Sequence, residues 1–74
     1  MEIQVELFGQ LRKGQNKIIT LQLPAPCTVG EVVKQLGFDP EEIGMMVING
    51  IQSELTDPVP PDCRLALFPY ISGG

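Results

Sequence analysis

Polar and apolar residues alternate from Glu2 to Phe8, which places Ile3, Val5 and Leu7 on one face of a strand. Gly9 to Asn16 reads as a polar connection with two glycines, after which Lys17 to Leu23 resumes the period of two through Ile19, Leu21 and Leu23. Two alternating strands joined by a short polar loop predict a hairpin with one solvated face. Pro24 and Pro26 end it, since neither can donate to a ladder. The period then changes: Val29, Val32, Val33 and Leu36 form one helical stripe, opened by the capping-box sequence Thr28-Val-Gly-Glu31 and closed by Gly37. Cys27 and Val32 occupy the two staple positions around the cap. Asp39-Pro40-Glu41-Glu42 predicts a second helical start of a single turn, ending at Gly44. Met45 to Ile48 predicts a short strand and Asn49-Gly50 a tight surface turn without a functional role. Ile51 to Asp57 reads as irregular with a brief pairing, and Pro58 to Asp62 as a stiff connection.

The last strand, Cys63 to Pro69, differs from the first two. Leu65 and Leu67 point one way while Ala66 and Phe68 point the other, so both faces are apolar. That suits a strand in the middle of a sheet, or one whose second face meets a partner. With the helix as crossover, this strand can lie parallel to the first. The predicted fold class is α+β: a mixed sheet with one main helix packed on one face.

At 74 residues the chain is one small domain with a thin core. It has no histidine, the usual proton shuttle at neutral pH, and is too short to wall off a deep pocket. Both points favour a carrier or binding module over an enzyme acting alone. A net charge of −4 argues against nucleic acid as a partner. Its simplest role is solubility, although a basic docking surface on a partner would also fit. Cys27 and Cys63 belong to no C-x-x-C pair and read as small buried hydrophobes rather than metal ligands. No stretch resembles a signal or membrane segment, so the expected location is cytoplasmic, with no membrane partner.

The sequence closes on Ser72-Gly73-Gly74. Without a Cβ, two successive glycines can pass through a slot too narrow for a side chain. Three stretches in this order resemble the β-grasp (ubiquitin-like) sulfur carriers of the MoaD/ThiS family, and within it the molybdopterin synthase small subunits. They are Thr28-Val-Gly-Glu31 opening the helix, Val47-Ile-Asn-Gly50, and Phe68-Pro69 leading to Gly73-Gly74. The chain departs from that pattern in its short, glycine-bearing first connection. It departs again at Tyr70, where a second proline commonly follows Phe-Pro. Its Ile71-Ser-Gly-Gly ending also suits the thiamin branch.

The resemblance implies a β-grasp domain over residues 1–69 and a flexible tail over 70–74. It implies that a partner related to ubiquitin-activating enzymes adenylates the Gly74 carboxylate with ATP and Mg, and that a sulfur donor converts the adenylate into a thiocarboxylate. No cofactor is expected on this chain itself. Gly74 would carry the reacting carbonyl and Gly73 would keep the channel clear. Ser72 is small enough to enter that channel, and Tyr70 and Ile71 would be the last side chains gripped. Phe8, Ala66 and Phe68, with Pro69, would form a docking face for a synthase large subunit, unless a loop of the same chain covers them. Met45 and Met46 either extend that face or fill the core. Three functional readings follow: a sulfur carrier for molybdopterin or thiamin, a ubiquitin-like protein modifier, or a non-reacting interaction domain.

Overall fold

The computed structural model describes residues 1–11 and 18–70. Five strands, β1 (Glu2–Leu7), β2 (Ile18–Gln22), β3 (Ile43–Ile48), β4 (Ile51–Ser53) and β5 (Arg64–Pro69), form one sheet in the order β2-β1-β5-β3-β4. β1 and β5 run parallel at its centre, with Val5 beside Leu65 and Leu7 beside Leu67, and the other neighbours are antiparallel. One helix, α1 (Val29–Gln35), crosses a single face. The mixed sheet and its central last strand thus follow the hydrophobic pattern. The brief pairing after the Asn49-Gly50 turn is β4.

Alternation decides what is buried. Ile3, Val5 and Leu7 on β1, Leu65 and Leu67 on β5, and Val29, Val32 and Val33 on α1 are all within 1% of complete burial. The helix forms where it does because its cap is complete: Thr28 Oγ1 accepts from the Glu31 amide, and Glu31 Oε1 accepts from the Thr28 amide. The first two helical amides find other partners, Val29 donating to the Asp57 carbonyl and Gly30 to that of Leu55. The 54–59 connection therefore satisfies donors that a helix start would otherwise leave open. Gly37 at φ +87° closes the helix, and Asn49 (φ +50°) with Gly50 (φ +85°) gives the hairpin turn.

The structure departs from the sequence reading at the first connection, and it divides the two methionines between the two alternatives left open for them. Gly9–Leu11 is a 3₁₀ turn rather than a plain polar loop, and Leu11 is buried in the core. An isolated Leu among polar residues gives no periodic signal, so its role is invisible to pattern reading. Residues 12–17, which hold the rest of that loop and the expected first residue of the second strand, lie outside the described residues. Met46 faces the core, whereas Met45 lies on the opposite face beside Phe68. No described side-chain nitrogen or oxygen is buried without a hydrogen-bond partner.

Candidate docking face and tail exit

The sheet face away from α1 carries the second apolar set of β5. Ala66 pairs with Glu6 on one side and Val47 on the other, and Phe68 pairs with Met45. Phe8, one residue beyond the end of β1, donates its amide to the Leu67 carbonyl at 3.1 Å, which holds it level with Phe68. The two rings stack with centroids 4.4 Å apart and planes 8° from parallel. The helix α1 lies on the other face, and Phe8, Met45, Val47, Ala66 and Phe68 are all half-buried. Phe8 and Phe68 thus cover each other in part, within an apolar strip that continues across Met45 and Val47. The strip is bounded by polar groups, among them the Arg64 guanidinium, which donates to Gln4 Oε1 at 3.2 Å.

The strip leads to the point where β5 leaves the sheet. Pro69 pairs with Ile43, while Phe68 pairs with Met45, so Gly44 is an extra residue bulged between them. The Tyr70 amide donates to the Glu42 carbonyl at 2.7 Å. Glu42 is placed there by the turn Pro40–Glu42, capped by the Asp39 carboxylate and by the Glu42 side chain returning to the Asp39 amide. Tyr70 is 60% exposed. Ile71, Ser72, Gly73 and Gly74 lie outside the described residues.

Sequence reasoning missed two glycines at this exit. A Cβ on Gly44 would stand 2.8 Å from Tyr70 Cα and 2.9 Å from the Pro69 carbonyl oxygen. A Cβ on Gly9, which sits at φ +57°, would stand 2.9 Å from Pro69 Cγ. In the sequence both look like ordinary loop and turn-ending glycines; only the fold brings them to opposite sides of Pro69. Asn49 also does more than turn the chain. Its side-chain oxygen accepts from the Arg64 amide at 2.9 Å, and its own amide donates to the Arg64 carbonyl at 2.9 Å, tying the hairpin to the start of β5.

Other chemistry is sparse among the described residues. Cys27 and Cys63 are free and buried. Burial raises both thiols above their ordinary range, with the Glu31 charge adding to the effect at Cys27. At Cys63 a backbone hydrogen bond offsets part of the rise and Asp62 adds to it. Neither has the lowered pKa of a nucleophilic cysteine. No group of three or more metal-ligating side chains occurs among the described residues. No helix there is long and apolar enough to cross a membrane. A shallow recess lined by Glu2, Ile3, Gln4, Asp62 and Cys63 opens at the far end of the sheet, where β5 begins rather than where it exits.

The model of the ThiS family matches residues 5–74, and the chain belongs to that family. No curated protein matches the sequence at a significant level. Solved structures share the fold, among them these three. Small archaeal modifier protein 1 from Haloferax volcanii is 21% identical with a TM-score of 0.77, over 95% of this chain and 98% of that one. A putative molybdopterin converting factor subunit 1 from Pyrococcus furiosus is 15% identical with a TM-score of 0.75, over 96% and 99% of the two chains. A chain from the complex of molybdopterin-converting factor subunits 1 and 2 from Helicobacter pylori is 16% identical with a TM-score of 0.65, over the whole of both chains. The fold is therefore the β-grasp fold of the ThiS/MoaD-like sulfur carriers and ubiquitin-like modifiers.

Proposed function

We propose that this member of the ThiS family is a cytoplasmic sulfur carrier whose Gly74 carboxylate is activated by a ubiquitin-activating-enzyme-like partner, and whose sulfur goes to a molybdopterin precursor. The observation that supports this reading is continuity: the half-buried apolar strip of Phe8, Ala66 and Phe68 runs through Pro69 to Tyr70, four residues before Gly74 in the chain. A partner seated on the strip has the reactive terminus within its reach. Four residues span at most about 14 Å. The synthase large subunit is proposed as the second occupant of this face, by likeness to the Helicobacter pylori chain that occurs with its subunit 2.

The chemistry follows from the poor electrophilicity of a carboxylate. Attack of a Gly74 oxygen on the α-phosphorus of Mg–ATP releases pyrophosphate and leaves an acyl-adenylate. Sulfide displaces AMP to give the thiocarboxylate directly. A persulfide gives an acyl disulfide, which a thiol then reduces. ATP and Mg are bound by the activating partner. Tethering keeps the sulfur at high effective concentration in the second active site instead of releasing it to solvent. Deleting Gly74, or Gly73→Trp, is expected to abolish activation while leaving thermal unfolding unchanged. Normal thiocarboxylate formation by either folded variant would defeat the proposal.

A second reading is favoured by the fold shared with small archaeal modifier protein 1. The same adenylate can be captured by a lysine amine, giving an amide to a target protein. The two readings separate by product, a thiocarboxylate or a conjugate.

A further inference from the structure

The point at which the chain leaves the sheet, at Pro69 and Tyr70, is held by a notch that closes on Pro69 from two sides. Gly9 approaches the proline ring, and Gly44 approaches the backbone of Pro69 and Tyr70. Any side chain at position 44 meets backbone atoms at 2.8 and 2.9 Å, which no rotamer change can relieve. The Tyr70 amide is held by the Glu42 carbonyl, itself placed by a doubly capped turn. Three separate elements thus converge on two residues that contribute nothing to the buried core.

We propose that Gly9 and Gly44 are positioning residues that aim the C-terminal tail, so that a partner docked on the apolar strip receives Gly74 at its active site without a search. The inference rests on the sulfur-carrier or modifier reading of the tail. Its quantitative basis is the short tether. Four residues span at most about 14 Å, so the position of Tyr70 sets the outer limit of where Gly74 can be presented. Misplacement by even about 1 Å can slow a positioned reaction by about a hundredfold. The aim at the base therefore matters more here than in a carrier with a long linker.

Gly44→Ala tests this, with two readouts. The first needs no partner: amide hydrogen exchange by NMR. Tyr70 is expected to lose its protection, while the amides of Leu65 and Leu67 keep theirs. The second uses the cognate adenylating enzyme with Mg–ATP and sulfide, following thiocarboxylate formation by intact mass. The variant is expected to lose about tenfold or more in kcat, beside whatever rise in KM the displaced Tyr70 side chain brings. Inserting one glycine between Tyr70 and Ile71 in the variant is expected to restore part of the loss, because added slack compensates for poor aim but not for poor folding. Should Gly44→Ala not fold, Pro69→Gly, which empties the notch without adding atoms, is expected to show the same loss of Tyr70 protection and of kcat, with a rise in KM from its own place on the docking face. Unchanged kcat in a folded variant whose Tyr70 protection is lost overturns the inference, as does a loss wholly in KM. Failure of the wild-type chain to be adenylated would instead overturn the reading of the tail and leave the exchange result standing.

Discussion

Tyr70→Ala is the perturbation that best separates docking from folding. A tyrosine side chain covers about 150–250 Å². With 60% of Tyr70 exposed, about 120 Å² is left for a partner to cover. At about 25 cal/mol per Å², full coverage has a ceiling of about 3 kcal/mol. Alanine keeps its Cβ and a partner rarely covers everything, so a loss of about 2 kcal/mol is expected, or about thirtyfold in Kd. The folding cost is smaller. The covered two fifths is shielded in part in the unfolded chain as well, and the backbone bond to Glu42 survives the substitution, leaving about 1 kcal/mol or less. The assay is calorimetric titration of the adenylating enzyme and of the synthase large subunit, beside urea unfolding of the carrier alone. Tyr70 is the single tyrosine, so incorporated fluorotyrosine gives one ¹⁹F resonance that should shift on docking. A Kd within twofold of wild type, with an unmoved ¹⁹F line, would refute docking through this end of the sheet.

Two further outcomes follow from the core. Leu65→Ala, at a site with no exposed surface, should cost about 2–5 kcal/mol, read as a fall in the urea midpoint at constant m. In so small a domain that is a large share of the total, so any activity loss in this variant should vanish when compared at equal folded fraction. Both thiols hold their protons more tightly when folded, so the stability linked to them is complete below the unfolded thiol range near 9.0 and is lost as pH rises through the higher folded values. Urea unfolding from pH 7 to 10.5 should show that decline, and Cys27→Ser with Cys63→Ser should remove it. A decline unchanged in the double variant would place its origin elsewhere.

What the sequence discloses about this fold follows from how local each signal is. The alternation in β1 and β2, the Thr28–Glu31 box and the Asn49-Gly50 turn are each written within a few residues, and each appears in the structure where the pattern puts it. The two-faced character of β5 was legible too, and it implied the central position that the strand occupies. Features that depend on distant chain segments were not. Leu11 is core because its turn folds back beneath the sheet. Gly9 and Gly44 matter because β5 passes between them, and neither glycine differs in its local sequence from a glycine of no consequence. That Met45 and Met46 face opposite ways is ordinary alternation, but which of the two meets the core depends on the register beside the bulge. The docking residues Phe8, Ala66 and Phe68 could be named from alternation, but the stacking of the two rings required the parallel pairing of β1 with β5.

The account turns on whether the terminal carboxylate reacts. Incubating the full chain with its adenylating enzyme, Mg–ATP and sulfide, and measuring intact mass, tests this most directly. The account predicts a gain equal to replacing one oxygen by sulfur, located by fragmentation at Gly74 and absent when ATP is omitted. An unchanged mass, with an enzyme shown to adenylate a related carrier, would contradict it; a mass gained only as a conjugate to lysine would replace the carrier by the modifier.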